Sequence, residues 1–474
     1  MNAIPPTARS RGRSPSFAAL FSFVWPGTGQ LYAGNRRLAA IFIAPTLLLP
    51  VLLAYQLRQG AVVFMARFAD PTFCLGALAI VVLAGLWRLG AVAQAYFTGR
   101  RNSRRPILDR LILAGLTAII LVSHGFTGVI LATTYTAASN IYNSSTNLLG
   151  DALATPSPAA SSEQSLGPTA APTPTSPPAP DGRVTMLFTG VDSDPSRDTR
   201  SYDSLMVVSY DPTANTVQMV NVPREIAAFP FYFGGVDHAS DWITYLPNYV
   251  RSGHIKGSPD SNYMTLVNEV QYLVGVHIDY WTVLNLGGFV KVIDVLGGVD
   301  VVNPSVISDP TYDWLDGSYG VYIQAGPVHL NGRYALAYAR SRHGGGNDYK
   351  RAARQQQIML ALLHKMSQPG AILHLNDIIS RVGSMVQTGS TSTAKQFKPS
   401  MVADYIADAE NVPTGNFTNV VLGPPYTTSI PSYLANGKSS ICLHMPAAAA
   451  ESIKLFGRDS LWYNQPTPTD TCPK

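Results

Sequence analysis

Three long apolar runs near the N-terminus constrain the fold of this chain more than any other feature. They extend over residues 38–57, 73–97 and 111–135. Each has roughly the 20 residues that a helix needs to cross the hydrocarbon core of a bilayer. An earlier run, 17–33, is interrupted by Pro26 and Gly27, which favours a re-entrant or interfacial segment. We therefore predict an all-α N-terminal membrane region, 1–136, with about three transmembrane helices.

The arginines around these runs predict their orientation. They lie before the first run and between the second and third, at Arg36, Arg37, Arg100, Arg101, Arg104, Arg105 and Arg110. Cytoplasmic loops are enriched in Lys and Arg, so we expect a cytoplasmic N-terminus and an extracytoplasmic chain after Tyr135. Arg88 lies inside the second run, where a charge is either functional or directed at neighbouring helices. The net charge of +5 is small and partly located here, so it does not indicate nucleic-acid binding.

A composition change separates this region from the rest of the chain. Residues 137–181 are mostly Ser, Thr, Ala and Pro, which predicts an extended linker. The following residues divide into a predicted catalytic domain, 182–425, and a C-terminal extension, 426–474. Cys442 and Cys472 in that extension would form one disulfide if it lies outside the cell. No Cys or His pair has the spacing of a zinc site.

The region after the linker has the pattern of an α/β domain. Apolar runs predict strands at 184–191, 205–210, 217–222, 278–284 and just after Gly298. Helical patterns cover 263–274, 287–296, 332–340, 350–366 and 398–409. The first three strands are too close together for helical crossovers, so we predict a mixed central sheet flanked by helices.

Four arginines in one short segment predict an anion site. They are Arg340, Arg342, Arg351 and Arg354, and three glycines and Asp348 separate the two pairs. Arginine matches phosphate oxygens with a planar, permanently charged fork, which favours a phosphate or pyrophosphate clamp. The alternative is a solvated basic helix face. No Gly-Lys-Ser/Thr follows the glycines, so this is not a nucleotide-binding P-loop.

Two aspartates at neighbouring strand ends are candidate metal ligands. Asp192 follows the first strand and Asp203 begins the second. A hard cation such as Mg²⁺ binds through one or two carboxylates together with substrate phosphates. Alternatively, Asp192 caps a turn and Asp203 pairs with Arg200. The histidines near the arginines, His329 and His343, are more typical of hydrogen-bonded structural residues than of catalytic bases.

Taken in order, these motifs resemble one family. They are Gly190-Val191-Asp192, the segment 200–203, Val222-Pro223-Arg224-Glu225, the segment 296–301, the segment 330–342 and the segment 348–355. Their order and rough spacing resemble those of the LytR-CpsA-Psr family over residues 184–421. Each motif alone is weak, but together they are highly specific.

The resemblance implies a membrane-anchored phosphotransferase of the bacterial cell membrane with an extracytoplasmic catalytic domain. Such proteins move a glycopolymer from undecaprenyl pyrophosphate, a membrane lipid, onto peptidoglycan. By position, Asp192 and Asp203 match the ligands of Mg²⁺, or of Mn²⁺ in its place. The pyrophosphate-binding residues would be Arg200, Arg224, Arg340, Arg342, Arg351, Arg354 and Gln355. The catalytic residues would be Asp203, Arg340, Arg342 and Asp348, with Asp203 or Asp348 as the base that deprotonates the acceptor hydroxyl.

This sequence also departs from the family pattern. Ser201 stands where relatives usually carry arginine, and Ser204 stands in place of threonine. Trp242 follows Asp241, where relatives often carry lysine. These changes keep two alternatives open: a regulatory protein that only binds polyprenyl phosphate, and a lipid pyrophosphatase in which water replaces the sugar hydroxyl. Apolar helices such as those around Tyr272 and Phe289 would line a polyprenyl pocket or belong to the ordinary core.

Overall fold

The computed structural model divides into two compact units, Met1–Thr136 and Ala137–Lys474. It describes residues 14–58, 60–99, 106–142, 182–192, 201–234, 239–255, 258–314, 316–341, 348–366, 386–392 and 411–473, with the single positions 368, 397, 401, 404, 405 and 408. The first unit is helical. Its helices are α1 Pro15–Val24, α2 Thr28–Tyr32, α3 Arg36–Leu57, α4 Ala61–Ala66, α5 Pro71–Gly99 and α6 Pro106–Tyr142, which extends into the second unit.

Three of these helices, α3, α5 and α6, are long and apolar enough to cross a membrane. They contain the three apolar runs from which the spans were predicted. The interrupted run is also a broken helix, because α1 ends at Val24 and Gly27 has a left-handed φ of 101°. Its position relative to a bilayer stays a prediction.

Arg88 is directed at a neighbouring helix, α1. Its Nη2 donates to the carbonyl oxygen of Phe23 at 2.6 Å, and its guanidinium lies over the Phe23 ring at 5.5 Å. The last carbonyls of a helix have no partner within it. Arg88 therefore stabilises the C-terminal end of α1, which is the second of the two roles predicted for it.

The second unit is α/β. Its strands are β1 Val184–Asp192, β2 Ser201–Asp211, β3 Thr216–Val222, β4 Tyr280–Asn285, β5 Val299–Asn303, β6 Ile307–Asp313, β7 Tyr319–Ile323, β8 Gly326–Leu330, β9 Val386–Ser390, β10 Phe417–Val421, β11 Thr427–Ile430 and β12 Ser440–Leu443. Its helices are α7 Leu246–Arg251, α8 Asn262–Val274, α9 Leu286–Val295, α10 Gly332–Arg340, α11 Asp348–Met366 and α12 Met445–Phe456.

Six strands form one mixed sheet in the order β10-β3-β2-β1-β4-β9. Strand β2 is antiparallel to both β1 and β3, whereas β4 is parallel to β1 and β10 is parallel to β3. The predicted mixed sheet is therefore confirmed, and so are the five predicted strands. The predicted helices are confirmed except for 398–409, most of which lies outside the described residues.

Side chains alternate between the two faces of the sheet, so one face packs in the core and the other lines a cavity. On one face, Leu187 and Val283 pack with Leu266 of α8 in the main core. The next residues along β1 and β4, Phe188 and Leu284, face a cavity instead. A second core lies around α9, α10, α11, the antiparallel strand pair β5 and β8, and the hairpin β6–β7.

Candidate functional site

A cavity of ≈ 380 Å³ lies between the sheet and the helices α9, α10 and α11. The sheet contributes residues from β1, β2 and β4, and the opposite wall comes from the three helices and from β6. Five of the residues predicted from the sequence line it: Asp203, Arg224, Arg340, Arg351 and Gln355. Residues that are up to 152 positions apart in the sequence are thus brought to one site.

The lining changes between polar and apolar along three of the elements that form it, α11, β2 and α10. Along α11, Arg351 and Gln355 are followed by Ile358 and Leu362. These positions span about 16 Å at 1.5 Å per residue. Along β2, Asp203 and Ser204 are followed by Met206, and α10 has the same order in the opposite chain direction, from Leu336 to Arg340.

Gln355 shows that these polar parts lie at the same end. Its Oε1 accepts hydrogen bonds from Ser204 Oγ at 3.1 Å and from Asn221 Nδ2 at 3.3 Å. Its Nε2 donates to the carbonyl oxygen of Ala339 at 3.3 Å. One side chain of α11 thus joins β2, β3 and α10, and the cavity has one charged end and one apolar end.

A β-bulge determines where Asp203 lies. Gly190 pairs with Ser204 and Val191 pairs with Tyr202, so Asp203 is the extra residue on β2. A bulge bends the strand and redirects the side chain of its extra residue. Asp203 Oδ1 accepts from Ser201 Oγ at 2.8 Å and forms an ion pair with Arg224. The predicted alternative pairs Asp203 with Arg200. Arg200 lies outside the described residues, so this alternative stays a prediction.

The remaining arginines of the cluster differ in their positions. Arg340 and Arg351 line the cavity, and Arg351 is buried. Arg354 is also buried, but among the described residues it belongs to the wall and not to the lining. Its Nη2 donates to the Ser341 carbonyl at 2.5 Å and its guanidinium lies over the Tyr338 ring at 5.5 Å. The solvated-face alternative is therefore wrong for Arg351 and Arg354.

Several predicted residues lie outside the described part of the chain. They are Arg200, Arg342, His343 and the side chains of Asp192 and Asp348. His329 is described, and its Nδ1 lies 2.7 Å from Asp300 Oδ1 at the surface. This confirms the prediction that it is a hydrogen-bonded structural histidine.

The β6 strand supplies lining residues that the sequence did not identify: Asp309, Tyr312 and Asp313. Burial raises the pKa of Tyr312, although Arg340 beside its hydroxyl partly opposes this shift. Asp309 is buried, and its Oδ2 accepts from Ser341 Oγ at 2.8 Å. Burial alternates along most of β6 in the structure, but nothing in its sequence indicates which face meets the cavity.

The oxygen atoms at the charged end fit a hard divalent cation. Asp203 engages its described partners through Oδ1, which leaves Oδ2 for another ligand. Hard cations prefer carboxylate and phosphate oxygens, and both Asp309 and Asp313 lie in the same lining.

One of the two helices that were predicted to line a polyprenyl pocket does contribute to the cavity. Phe289 of α9 lines the cavity. Tyr272 of α8 packs instead against the main core, with its ring 5.3 Å from that of Trp462. The two alternatives predicted for these helices, pocket and core, thus each apply to one of them.

Comparison with known proteins gives a family match over more than half of the chain. A model described as the LytR_cpsA_psr family matches residues 152–412. The polyisoprenyl-teichoic acid–peptidoglycan teichoic acid transferase TagV of Bacillus subtilis is 31% identical over 205 residues, which are 43% of this chain and 49% of TagV. The regulatory protein MsrR of Staphylococcus aureus is 30% identical over 210 residues, 44% of this chain and 57% of MsrR. The chain thus spans about half the length of these curated relatives.

A crystal structure of B. subtilis TagV is also similar. It has a TM-score of 0.45 and 22% sequence identity, and the match covers 60% of this chain and 99% of the TagV chain.

Proposed function

Because this chain belongs to the LytR-CpsA-Psr family, we propose that it transfers a glycopolymer from undecaprenyl pyrophosphate to peptidoglycan. The observation that carries this proposal is the cavity with a charged end and an apolar end. A polyprenyl pyrophosphate has the same division between its headgroup and its chain. The name of TagV, a polyisoprenyl-teichoic acid–peptidoglycan transferase, supports the same substrate class.

The lipid substrate would occupy the cavity with its pyrophosphate among the arginines. Arg224, Arg340 and Arg351 line the charged end and would neutralise the phosphate oxygens. Arg200 and Arg342 would add to this charge, while Arg354 and Gln355 would hold the wall. The side chains of Phe289, Ile358 and Leu362 would contact the first isoprene units.

The transfer step replaces a phosphoanhydride bond by a phosphate ester bond. A hydroxyl of the acceptor sugar attacks the phosphorus that carries the glycopolymer. The bond from that phosphorus to the bridging oxygen breaks, and polyprenyl phosphate leaves. The hydroxyl proton passes to a carboxylate, for which Asp203 and Asp348 are the two candidates. Alignment and charge neutralisation supply most of the catalysis in such reactions.

A divalent cation would complete the charged end. Asp203, through its Oδ2, and Asp192 would hold Mg²⁺ or Mn²⁺. The bound cation would neutralise further negative charge on the pyrophosphate.

The proposal also includes the location of the site, outside the cytoplasm. Three helices of membrane-spanning length support a membrane anchor. The arginine-rich ends 36–37 and 100–110 favour a cytoplasmic N-terminus and an extracytoplasmic catalytic unit. The disulfide between Cys442 and Cys472 supports this orientation, because disulfides persist in oxidising compartments.

A transfer assay with the full-length protein in detergent tests this function. The protein is incubated with a pyrophosphate-linked lipid oligosaccharide, Mg²⁺ and peptidoglycan. We expect an oligosaccharide linked to peptidoglycan, and we expect Asp203→Asn and Arg340→Met each to lower the rate at least about 100-fold. The surface variant His329→Gln is the control and should retain the wild-type rate.

The other outcomes favour other functions. Release of the phosphorylated oligosaccharide without linkage would favour a lipid pyrophosphatase. Tight lipid binding without any turnover would favour a regulatory lipid-binding protein, a role that the name of MsrR makes worth testing. Turnover that survives both substitutions would show that the site lies elsewhere. Omission of Mg²⁺ and addition of EDTA test the metal separately.

A further inference from the structure

The C-terminal extension contacts the chain directly after Arg224. Strand β12 forms a backbone bridge there, in which Ile441 N donates to the Glu225 carbonyl at 3.2 Å. Ala227 N donates to the Ile441 carbonyl at 2.8 Å. The family match ends at residue 412, so this contact comes from a part of the chain beyond it.

One side chain of the same strand, Ser440, holds an aromatic ring beside Arg224. The guanidinium of Arg224 lies 5.3 Å from the ring of Trp242. Trp242 Nε1 donates to Ser440 Oγ at 2.7 Å, and the ring stacks on Tyr245 at 6.1 Å with an interplanar angle of 19°. The ring therefore has a fixed plane, and Ser440 of β12 is one of the groups that fix it.

Lys438 of the extension contacts both aromatic rings and their flanking carboxylate. Its Nζ lies 5.4 Å from the Trp242 ring and 4.1 Å from the Tyr245 ring. It donates to the two oxygens of Asp241 at 2.8 and 2.7 Å. Asp241 is buried and also accepts from Tyr249 Oη at 2.5 Å. Lysine is thus present beside Asp241 after all, but it comes from a distant part of the chain.

A disulfide and a small core attach this strand to the segment that follows Arg224. Cys442 on β12 is fully buried and bonded to Cys472. It packs with Ala227 and Ala228, and Trp242 lies against the same cluster. The extension is therefore held in place independently of any contact with the cavity.

The consequence for Arg224 is that its guanidinium is held from two sides. Asp203 pairs with Nη1, and the guanidinium lies over the ring of Trp242. Its Nε has no hydrogen-bond partner among the described residues, and the residue lines the cavity. An arginine that is already oriented loses less side-chain freedom when a phosphate binds.

We infer that Trp242 and Lys438 are positioning residues, through which the C-terminal extension orients Arg224 toward the pyrophosphate headgroup. This inference rests on the proposed function of the cavity. Both residues act through Arg224 and touch no substrate atom. Their loss should therefore weaken recognition of the headgroup and leave contacts with the apolar chain unchanged.

Binding of two matched probes to the full-length protein in detergent tests this. Geranylgeranyl diphosphate carries the headgroup, and geranylgeraniol has the same chain without it. We expect Trp242→Leu and Lys438→Met to weaken diphosphate binding about three- to tenfold, in line with the strength of cation–π contacts. Neither should change alcohol binding. Trp242→Phe and Lys438→Arg retain the ring and the charge, so they should restore affinity toward that of the wild type.

The control and the contrary outcomes are distinct. Lys454→Met removes a lysine of α12 that is paired with Glu451, and it should bind both probes like the wild type. Unchanged diphosphate affinity in both variants would overturn the inference, as would parallel loss of both probes in variants that unfold at the wild-type temperature. A wild type that binds neither probe would overturn the proposed function as well. If Trp242→Leu does not fold, the diphosphate affinities of Lys438→Met and Lys438→Arg test the inference by themselves.

Discussion

Gln355 illustrates, at the scale of single residues, how this site is held together. Its amide bonds to side chains of β2 and β3 and to the backbone at the end of α10. Two of its partners are chain neighbours of charged residues: Ser204 follows Asp203, and Ala339 precedes Arg340. The amide therefore fixes the spacing between the carboxylate and the arginines, in addition to lining the cavity.

Replacement of Gln355 by methionine should lower both stability and transfer. Methionine has a similar shape, but it cannot replace the three hydrogen bonds. We expect the free energy of unfolding to fall by about 2–3 kcal/mol, at about 1 kcal/mol for each bond. Urea unfolding of the purified protein measures this. The exposed Gln368→Met serves as the control and should change stability by less than about 0.5 kcal/mol. A stability equal to that of the wild type would contradict this role of Gln355.

Glu269 is a buried carboxyl group that should make stability depend on pH. It is fully buried on α8, and its one described hydrogen bond comes from Tyr232 N at 3.2 Å. Burial raises its pKa well above the ordinary value near 4.5, and the Tyr232 bond only partly opposes this. The folded state thus keeps a proton that the unfolded state releases, so stability falls as pH rises above about 4.5.

Glu269→Gln should remove this pH dependence. Glutamine is neutral in both states, so the variant should match the wild type near pH 4 and become more stable than it as pH rises to 7. Each unit of pKa difference contributes about 1.4 kcal/mol. Chemical denaturation at four or five pH values between 4 and 8 gives the two curves. Parallel curves would show that Glu269 does not titrate as its burial requires.

At the scale of secondary structure, α11 and β2 show what the sequence could and could not predict. The helical pattern at 350–366 and the apolar run at 205–210 predicted both elements. Alternation along β1 and β4 also separates core residues from cavity residues, once the direction of the core is known. The bulge was not predictable, because it depends on the pairing of β2 with a strand whose register no local pattern fixes.

The same limit applies to β6 and to the C-terminal extension. Asp309 and Tyr312 reach the cavity only because the β6–β7 hairpin packs against α10, and the sequence separates them from every recognised motif. Lys438 lies 197 residues from Asp241, so no spacing pattern could have joined them. The arginines and Asp203 were identified because their motifs are local; their partners were not, because those contacts are long-range.

The polarity change along α11 leads to a prediction about lipid length. Leu362 is half-buried at the apolar end, three turns after Arg351. Leu362→Trp should fill this end while leaving the charged end unchanged. We expect affinity for geranylgeranyl diphosphate to fall at least about tenfold, and affinity for the shorter geranyl diphosphate to change less than twofold, since a few buried methylene groups account for that difference.

Ala353→Trp is the matched control for this substitution. It adds the same ring to an exposed position of the same helix, and it should leave both affinities unchanged. Equal losses for the long and the short lipid in Leu362→Trp would contradict the proposed direction of the chain.

At the scale of the whole molecule, the C-terminal extension is tied to the start of the second unit. Arg183 at the start of β1 is buried and pairs with Asp211 at 2.7 Å and with Asp459 at 2.6 Å. The disulfide between Cys442 and Cys472 closes a loop of about 30 residues in the same extension.

Loss of this disulfide should destabilise the protein. By the loop-entropy relation, Cys442→Ser together with Cys472→Ser should lower the free energy of unfolding by about 3–4 kcal/mol. Denaturation of the double variant beside a Cys74→Ala control measures this; a change below about 1 kcal/mol would contradict it.

The orientation of the two units relative to the membrane yields the last prediction. Under the proposed orientation, the N-terminus and the arginine-rich segment 100–110 lie in the cytoplasm. The three proposed spans would then bring the linker and the cavity to the other side, where the proposed lipid-linked polymer and peptidoglycan would meet. In a Cys74→Ala background, Ser161→Cys in the linker should react with a membrane-impermeant maleimide in intact cells. Ser10→Cys should react only after the cells are permeabilised. The reverse pattern would place the cavity in the cytoplasm and exclude transfer to peptidoglycan, whereas labelling of both cysteines in intact cells would mean that the number of crossings is even.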